Sequence, residues 1–575
     1  MKTIGRYVRP YTLIIAFTML LKLAAAVLDL LIPSFLARII DDAVPAGSRS
    51  GIFFWGGVML VCAVLSMFTN MYANRIAART SGQMTRTLRH DLFSKLSYLS
   101  GAQLDRISIP SAVSRLTTDT YNLNRFFNRI QRMGVRAPIL LVGGIAITLL
   151  MDPVLTLVLL ATLPFIGLLV YHVTSRSVPL YTRQQGVLDR LVRTVQENIT
   201  GVRVIKALSR VSHEKDRFEQ VNQDLSGIEE KAGSVMALSN PAASFILNIG
   251  LVLVVVTGAY LVNAGRSTTG NIIAFLNYFT IILNAMLGIT RVFVMYSKGK
   301  ASALRVEEVL LMPEDLPLLE AGAHEPSPYH IQWKDVSFSY NKRRDNLSHI
   351  SFALMRGQTL GVIGATGSGK STLVALMLRL YEADSGRILI DGQDIRAIPR
   401  ETLYGKMGIA FQNDFIMADT LKENIRYFRD IPDEDIRRAV EDAQARDIVR
   451  EKEQGLLHRA AVRGQDLSGG QKQRLLIARA LAGTPEILIL DDASSALDYQ
   501  TDAKLRGALA RNYTEATKII IAQRVSAIMG ADHILVMDEG RVQSAGTHEE
   551  LMKTSDVYRE IADTQMSLLE GAPLV

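Results

Sequence analysis

The chain has 575 residues, more than one hydrophobic core normally supports, so two or more domains are expected. Hydrophobic residues make up 48% of it and the mean hydropathy is +0.17, which predicts that part of the chain lies in lipid. The net charge of +8 comes mostly from arginines beside hydrophobic runs, a pattern typical of cytoplasmic loops of membrane proteins that argues against nucleic acid as a partner.

Six long apolar stretches occupy the first half of the chain. They fall near residues 12–39, 52–74, 135–151, 154–172, 241–263 and 272–297. A helix of about 20 residues crosses the ~30 Å of hydrocarbon in a bilayer. The sequence therefore predicts an all-α transmembrane domain of six helices over residues 1–309. Residues 1–10 are polar and basic and do not resemble a signal peptide, and the single cysteine, Cys62, excludes an intramolecular disulfide.

Lysine and arginine concentrate in two long connections, between the second and third stretches and between the fourth and fifth. The positive-inside rule places these connections and both termini in the cytoplasm, so we expect an integral protein of the plasma (cell inner) membrane. Both connections keep helical apolar spacing and are predicted to extend the spans as rigid helices. Their tips, residues 97–106 and 199–209, are candidate contacts to the domain that follows.

Several polar side chains fall within the apolar stretches, where such groups normally face a bundle interior or a water-filled cavity. They are Lys22, Asp29, Asn248, Asn277, Asn284 and Arg291. For Asp29, Asn277 and Asn284 a substrate contact and a structural role are equally favoured. Lys22 and Arg291 are also explained by snorkelling towards the membrane surface. Three aromatic residues at the start of the sixth stretch could line a cavity, but core packing is the preferred role of each: Phe275, Tyr278 and Phe279.

The composition changes after residue 309. Residues 310–329 contain four prolines and a glycine, which indicates an interdomain linker. Residues 330–565 are predicted to form a soluble α/β domain, and residues 566–575 a C-terminal tail.

A phosphate-binding loop follows the predicted strand 360–363 and precedes the predicted helix 372–380. In such a loop, backbone N–H groups converge on phosphates at a helix N-terminus, where the helix dipole also favours an anion. Lys370 is expected to pair with the β- and γ-phosphates, Ser371 to hold Mg²⁺, and Thr372 to lie near the α- and β-phosphates. The predicted nucleotide contacts are Gly364, Thr366, Gly367, Ser368, Gly369, Lys370, Ser371 and Thr372.

Two further motifs make a chance match to the loop implausible. A buried-strand run, 487–490, ends in Asp491, the position that holds Mg²⁺ in P-loop ATPases. Before it stands a five-residue signature followed by a predicted helix, 472–482. The signature residues are Leu467, Ser468, Gly469, Gly470 and Gln471. This signature between those two motifs is close to diagnostic of the ATP-binding cassette (ABC) family.

With six spans ahead of the cassette, the chain resembles an ABC exporter half-transporter along nearly its whole length. The resemblance implies that Tyr340 stacks on adenine, that Gln412 is the glutamine of the Q-loop, and that Ser495 and Asp498 belong to the D-loop. It implies ATP and Mg²⁺ as cofactors, with Ser371, Gln412 and Asp491 as the Mg²⁺ site. It also implies a second half-transporter as partner, contact with membrane lipid, and an amphipathic small molecule, multidrug-type or lipid-like, as substrate.

The chain departs from the family at the two positions that carry out hydrolysis. In the family, a glutamate follows the Mg²⁺-holding aspartate of the Walker B motif, which is Asp491 here. This chain has Asp492 instead, whose side chain is one methylene shorter and places its carboxylate about 1.5 Å farther back. A misplacement of ~1 Å can cost ~100-fold in rate. The family's switch histidine is replaced by Gln523, which cannot become cationic. Together they favour a degenerate site that binds ATP and hydrolyses it poorly.

In the family, each ATP lies between the Walker motifs of one cassette and the signature of the other. The preferred hypothesis is therefore the degenerate-site subunit of a heterodimeric exporter, whose intact signature completes the partner's hydrolytic site. Three alternatives are a homodimeric exporter with slow hydrolysis at Asp492, an ATP-gated regulatory or channel-like module, and an importer built on an exporter fold. The segment 458–464, with Val462 at a position where the family has glutamate, leaves the details of coupling open.

One sequence resembles a second Walker B ending without being one. Asp538 and Glu539 follow an apolar run, but Gly540 comes next and the segment lies beyond the switch position. We interpret Asp538-Glu539-Gly540 as a hairpin turn.

Overall fold

The computed structural model describes residues 2–314, 316–319, 325–412 and 414–570. The chain divides into two compact units. The helical unit comprises Met1–Ser97 and Pro110–Met312, and the α/β unit comprises Tyr98–Ile109 and Pro313–Val575. A short segment from the first half of the sequence thus belongs to the second unit.

Among the residues that the structure describes, the helical unit contains six segments that are long and apolar enough to cross a membrane, which confirms the predicted number. These spans 1 to 6 are Thr3–Ala43, Arg49–Ser97, Ile109–Met151, Pro153–Thr200, Val211–Asn263 and Thr269–Ile289. The α-helices of the helical unit are Lys2–Val8, Thr12–Arg38, Arg49–Ser97, Ile109–Ser114, Thr120–Met133, Arg136–Met151, Pro153–Thr200, Val202–Ala207, Val211–Ala237, Ser239–Asn263 and Thr269–Leu310. The 49-residue helix Arg49–Ser97 is ~73 Å long, far more than a bilayer requires, so the basic connections continue the spans as helices.

The core of the helical unit lies where spans 1, 4, 5 and 6 meet. Phe275, Tyr278 and Phe279 are buried there, in agreement with the preferred packing role. The Tyr278 hydroxyl lies 2.6 Å from the carbonyl oxygen of Leu30 and 2.6 Å from Ser34 Oγ. Its polar end is therefore satisfied inside an apolar cluster.

The other polar residues predicted within the spans lie in different environments. Asn277 is exposed and donates to the Ile273 carbonyl of its own helix at 3.0 Å. Asn248 is also exposed, whereas Asn284 lines a cavity. The side chain of Arg291 lies outside the described part of the structure.

A buried carboxylate connects span 3 to the helix Thr269–Leu310, beyond the end of span 6. Asp119 ends a π-helical turn, Arg115–Asp119, and its side chain is 1% exposed. It accepts hydrogen bonds from Arg305 Nε at 2.9 Å, from Arg305 Nη2, and from Ser302 Oγ at 2.8 Å. A carboxylate this deeply buried is stable only with such partners.

The α/β unit contains two sheets. The strands are β1 (Ile331–Phe338), β2 (Leu347–Leu354), β3 (Thr359–Gly364), β4 (Ser385–Ile390), β5 (Gln393–Asp394), β6 (Met407–Ala410), β7 (Ile487–Asp491), β8 (Thr517–Ile521), β9 (His533–Asp538) and β10 (Arg541–Gly546). One sheet has the order β2-β1-β4-β5 and the other β10-β9-β3-β8-β7-β6. Strands β9, β3, β8, β7 and β6 are parallel, so their carboxyl ends share one edge, where ligands bind in such sheets.

Helices flank these sheets, and one of them comes from the segment before residue 110. The α-helices are Gly101–Ile107, Lys370–Met377, Arg400–Gly405, Leu421–Arg426, Asp433–Asp442, Arg446–Glu451, Gly469–Leu481, Tyr499–Asn512, His548–Thr554 and Asp556–Glu570. The last of these runs into the stretch expected as a tail, and residues 571–575 lie outside the described part. Within the expected linker, residues 315 and 320–324 also lie outside it.

The helix Gly101–Ile107 is attached to the α/β unit by three hydrogen bonds. Gly101 N donates to the Leu380 carbonyl at 3.1 Å, and the Tyr381 hydroxyl donates to Asp105 at 2.5 Å. Gln103 Nε2 donates to the Pro313 carbonyl at 3.2 Å. The first of the two predicted tips, residues 97–106, therefore does make contacts with this unit.

The structure confirms one turn and shifts two helix boundaries. Strands β9 and β10 pair through Asp538 and Arg541, with Glu539 (φ 43°) and Gly540 (φ 82°) between them, which are the dihedral signs of a type I′ hairpin. The prediction that the signature helix begins at 472 was wrong, because a capping box starts it at Gly469. The prediction of helix 372–380 was also wrong. That helix is Lys370–Met377, since the left-handed residue Gly369 precedes it directly.

Candidate functional site

The phosphate-binding loop lies at the carboxyl end of β3, the strand between β9 and β8. Gly369 has φ +101°, and a Cβ there would come within 2.8 Å of the Asn346 carbonyl oxygen, so only glycine fits. The helix Lys370–Met377 starts immediately afterwards and points its free N–H groups back at the loop. The loop and the helix N-terminus therefore form an anion-binding geometry.

A cavity of about 260 Å³ opens over this loop. From the loop and its helix it is lined by Thr366, Gly367, Gly369, Lys370, Ser371 and Thr372. From the ends of other strands it is lined by Gln412, Asp491, Asp492 and Gln523. Ten residues predicted from four separate motifs thus meet in one place. Three lining residues had no signal in the sequence: Asn346, Ile521 and Ala522.

Two predicted loop residues lie beneath the cavity. Gly364 ends β3, and its carbonyl oxygen accepts a hydrogen bond from Lys370 Nζ at 2.7 Å. Ser368 is 3% exposed, and its buried hydroxyl oxygen has no hydrogen-bond partner among the described residues. These two residues shape the loop from below.

Three charged groups face one another across the cavity. Lys370 Nζ also donates to the Ala365 carbonyl at 2.8 Å. Burial lowers the pKa of the Lys370 ammonium, and the nearby Asp491 and Asp492 oppose that shift. Burial raises the pKa of Asp491, although a hydrogen bond from the Ser371 hydroxyl opposes the shift. The site thus brings one ammonium close to two partly desolvated carboxylates.

Asp492 is bound by two side-chain amides on a single oxygen. Gln412 Nε2 donates to Asp492 Oδ2 at 3.0 Å, and Gln523 Nε2 donates to the same atom at 2.8 Å. Burial raises the pKa of Asp492, and these two hydrogen bonds oppose the rise. The residue has φ 51°, and its N–H donates to the Ile521 carbonyl at the end of β8 at 2.9 Å. Hydrogen bonds to the carboxylate and to the backbone N–H of Asp492 therefore fix the direction of its side chain.

Tyr340 lies beside the cavity, outside the group of residues that line it. The residue is 47% exposed, and its hydroxyl is 3.5 Å from Thr372 Oγ1. It packs edge-on against Tyr381 with 4.9 Å between ring centroids. This position leaves an open aromatic face next to the loop.

The signature residues form a separate site at the N-terminus of the helix Gly469–Leu481. Gln471 N donates to Ser468 Oγ at 3.3 Å, and Ser468 N donates to Gln471 Oε1 at 2.9 Å. A Cβ on Gly470 would come within 3.0 Å of the Ala496 carbonyl oxygen. Leu467 is buried in the hydrophobic core, so its side chain anchors the loop.

The D-loop connects the signature helix to Asp492. The Ser495 hydroxyl donates to the Asp492 carbonyl at 2.9 Å and accepts from Gln473 Nε2, on the signature helix, at 3.0 Å. Asp498 caps the helix Tyr499–Asn512 by accepting from Thr501 N at 2.8 Å. A shift of the signature helix would therefore reach the backbone of Asp492 through one serine.

A P-loop, a strand-end aspartate pair and a signature at its own helix N-terminus define an ABC-type ATPase, and the six spans make it a membrane protein. Residues 15–286 match the model of the ABC transporter transmembrane region, and residues 347–495 match that of the ABC transporter. The chain belongs to the ABC transporter family, and its α/β unit is an ATP-binding ABC ATPase coupled to transport.

Similar proteins match along nearly their whole length. The chain is 34% identical to the uncharacterized ABC transporter ATP-binding protein YfiB of Bacillus subtilis, over 97% of each chain. It is 30% identical to the probable multidrug resistance ABC transporter ATP-binding/permease protein YheI of the same organism, over 98% of this chain and 97% of YheI. The solved structure of a bacterial Atm1-family ABC exporter with ATP bound shares the fold, with a TM-score of 0.81, 23% identity and 99% coverage of each chain.

Proposed function

We propose that this chain is the degenerate-site subunit of a heterodimeric ABC exporter. In each subunit we call the surface that carries the phosphate-binding loop and the strand-end aspartates the Walker face. Hydrolysis at the partner's Walker face drives export of amphipathic molecules. The observation that carries the proposal is the hydrogen bonding of Asp492. Its Oδ2 accepts hydrogen bonds from the side-chain amides of Gln412 and Gln523. The residue at the position of the hydrolytic base is thus held by two neutral donors.

The chain's own Walker face would bind ATP. Lys370 now donates to two loop carbonyls and would move its ammonium to the β- and γ-phosphates, where the charge is better matched. The N–H groups at the start of the helix Lys370–Met377 would hold the phosphates. The exposed ring of Tyr340 is available to stack on adenine.

The residues present fit a magnesium ion. The Ser371 hydroxyl is already hydrogen-bonded to the Asp491 carboxylate, so two oxygen ligands share one corner of the cavity, and Gln412 lines the same cavity. Mg²⁺ prefers such oxygen ligands together with phosphate oxygens. When bound, the ion supplies positive charge that neutralises the phosphates.

Hydrolysis at this face would be slow for three reasons. The Asp492 carboxylate is one methylene shorter than glutamate and falls short of an attacking water by about 1.5 Å. Its Oδ2 is engaged by two amides, and one of these must be displaced before that oxygen can accept a proton from water. Gln523 cannot supply the positive charge of a protonated histidine beside the γ-phosphate.

The partner's Walker face would be completed by this chain's signature. The Ser468 hydroxyl and the Gly470 N–H lie at a helix N-terminus, where the dipole favours a γ-phosphate. Such preorganised donors stabilise charge as it develops in the transition state. The proposal therefore assigns hydrolysis to a composite site made from both subunits, with the ATPase units on the cytoplasmic side of the plasma membrane.

The test compares one variant on each face of the cassette. The chain is purified alone and with its partner, and ATP hydrolysis is measured for wild type, Ser468→Ala and Asp492→Ala. We expect the pair to hydrolyse ATP, Ser468→Ala to lower the rate by about 100-fold, as for loss of an oxyanion donor, and Asp492→Ala to cost far less. Robust turnover by the chain alone that Asp492→Ala abolishes would instead establish the homodimer.

A flux measurement addresses the remaining alternatives. The pair is reconstituted in proteoliposomes with the ATPase units outside, and accumulation of an amphipathic fluorescent dye inside is followed after adding ATP and Mg²⁺. Uphill accumulation supports export. Flux that only dissipates a gradient would indicate a channel-like module, and ATP-driven loss of preloaded dye would indicate an importer.

A further inference from the structure

A cavity of about 630 Å³ lies inside the helical unit, among spans 1, 2, 3 and 6. Five cationic side chains line it, and the described lining residues include no carboxylate. The five are Lys22, Arg125, Arg129, Arg132 and Arg136. The rest of the polar lining consists of neutral asparagines, Asn284 of span 6 among them.

Neutral groups hold the most deeply buried of these cations. Lys22 is 2% exposed, and its ammonium donates to Asn74 Oδ1 at 2.7 Å and to Asn70 Oδ1. Asn74 Oδ1 also accepts from Arg132 Nε at 2.9 Å. Two cations thus share one amide oxygen, which satisfies hydrogen bonds and leaves the charges uncompensated.

Only one of the five has a carboxylate partner among the described residues. Arg136 Nη2 lies 2.7 Å from Asp29 Oδ2, and the Ser66 hydroxyl donates to Asp29 Oδ1 at 2.6 Å. Even so, Arg136 Nε is buried without a hydrogen-bond partner among the described residues. Arg125 lies over the Tyr121 ring, and Arg129 Nη1 lies 3.9 Å from the Met133 sulfur.

The cationic cavity adjoins an apolar one of about 340 Å³. Both are lined by Met133, and the second is otherwise formed by residues such as Ile130, Pro138, Ile289 and Val292. A positively charged chamber and an apolar chamber side by side match a molecule with an acidic head and an apolar body. Snorkelling to the membrane surface does not explain the arrangement, because Lys22 points into the bundle and is buried.

We propose that this cavity is the binding site for an amphipathic organic anion, with its acidic group among Lys22, Arg132 and Arg136 and its apolar part beyond Met133. The inference rests on the proposed transport function and narrows the substrate class. Clustered cations in a cavity with low-dielectric walls attract an anion strongly, and each charged hydrogen bond contributes about tenfold or more in affinity. The acidic group could belong to a soluble metabolite or to a membrane lipid.

Binding is measured without ATP, so the result does not depend on which subunit hydrolyses it. The full-length protein in phosphatidylcholine nanodiscs is titrated with 8-anilino-1-naphthalenesulfonate and with N-phenyl-1-naphthylamine, the same rings without the sulfonate, and empty nanodiscs are subtracted. The variants are K22M, R132Q and R125Q. R176Q, an exposed cation of span 4, is the control. R125Q and R132Q change exposed side chains and keep the test valid if K22M does not fold.

We expect the sulfonate to bind at least about tenfold more tightly than the neutral ring system to wild type and R176Q. K22M and R132Q should each remove most of that difference, R125Q should reduce it, and all three should leave affinity for the neutral probe unaffected. Competition then identifies the source: displacement by phosphatidylglycerol in the disc indicates a lipid, and displacement by soluble octanoate alone indicates a cytosolic anion. Equal affinity for both probes, or a preference unchanged in R132Q and R125Q, would overturn the proposal.

Discussion

Gln523 donates its side-chain amide to Asp492 at 2.8 Å, so the residues at the positions where we expected the family's hydrolytic glutamate and switch histidine are hydrogen-bonded to each other. Gln412 donates to the same oxygen at 3.0 Å. The Asp492 carboxylate and two uncharged amides therefore form one small network at the ends of β7 and β8. A substitution of Asp492 alone or of Gln523 alone therefore leaves the other residue of the pair in place.

The first prediction concerns restoring hydrolysis at this network. We expect Asp492→Glu with Gln523→His to raise hydrolysis at this chain's own Walker face by about 100-fold, because the carboxylate gains its reach and the switch position can become cationic. Turnover is measured in the assembled transporter after the partner's hydrolytic carboxylate has been removed. Asp492→Glu alone is the matched control and should gain less. A double variant no faster than wild type would show that another feature limits this face.

The second prediction follows from the raised pKa of Asp492. Because burial raises this pKa in the folded state, the folded protein binds the proton more tightly than the unfolded chain does, and stability from this group increases as pH falls through the raised pKa. At pH 7.5 the ionised carboxylate destabilises the nucleotide-free protein. We expect Asp492→Asn to raise the midpoint of thermal unfolding at pH 7.5, with a gain that shrinks as the pH is lowered through the raised pKa.

Asp498 provides a control of opposite sign for that experiment. The backbone N–H and the hydroxyl of Thr501 hold the pKa of Asp498 below its ordinary value. Its ionised form therefore stabilises the fold above the ordinary aspartate pKa, and Asp498→Asn should lower the unfolding midpoint at pH 7.5. If both variants shift the midpoint in the same direction, the assignment of burial as the dominant effect at Asp492 is wrong.

The third prediction concerns communication with the segment Tyr98–Ile109. The Tyr381 ring packs on Tyr340 beside the phosphate-binding loop, and its hydroxyl donates to Asp105 on the helix Gly101–Ile107. We expect Tyr381→Phe to lower substrate-stimulated ATP hydrolysis about tenfold, the worth of one hydrogen bond to a charged group, and to leave ATP affinity unchanged.

Two comparisons isolate that bond. Asp105→Asn keeps a neutral acceptor and removes only the charge, so it should give a smaller loss. The double variant should cost little more than Tyr381→Phe alone, because both substitutions act on one interaction. Tyr404→Phe removes a hydroxyl that donates to the Leu378 carbonyl within the α/β unit, and should leave stimulation intact. Additive losses from Tyr381→Phe and Asp105→Asn would mean that the two residues act separately.

The fourth prediction concerns the buried carboxylate of the helical unit. Asp119→Asn leaves Arg305 without its anionic partner, so we expect the midpoint of thermal unfolding in detergent to fall by about 5 °C. The control is Asp224→Asn, which removes an exposed pair with Arg190 at 3.9 Å and should have almost no effect. A loss at Asp119 no larger than at Asp224 would contradict the structural role of the buried pair.

The sequence predicted what depends on local patterns. The phosphate-binding loop, the strand before Asp491, the turn at Glu539 and Gly540, and the six spans each rest on a motif or a periodicity within a few residues. The start of the signature helix was misplaced by three residues, because the glycines suggested a loop while the reciprocal bonds of Ser468 and Gln471 begin the helix earlier.

What the sequence could not predict depends on distant residues meeting in space. Gln412 and Gln523 lie 80 and 31 residues from Asp492, and no pattern in the chain indicates that they share one of its oxygens. Likewise, the sequence suggested snorkelling for Lys22, and Arg132 was one of many cations in the connection between the second and third apolar stretches. Only the packing of spans 1, 2 and 3 brings both to the oxygen of Asn74.

The grouping of Tyr98–Ile109 with residues beyond Pro313 has a practical meaning for anyone who divides this protein. A fragment starting near residue 313 would retain every nucleotide motif, yet it would lack the helix that covers the Leu380 carbonyl and pairs with Tyr381. Such a truncated cassette would expose a docking face that the intact chain fills by itself. A synthetic peptide of residues 98–109 should therefore bind to that fragment and protect it from unfolding.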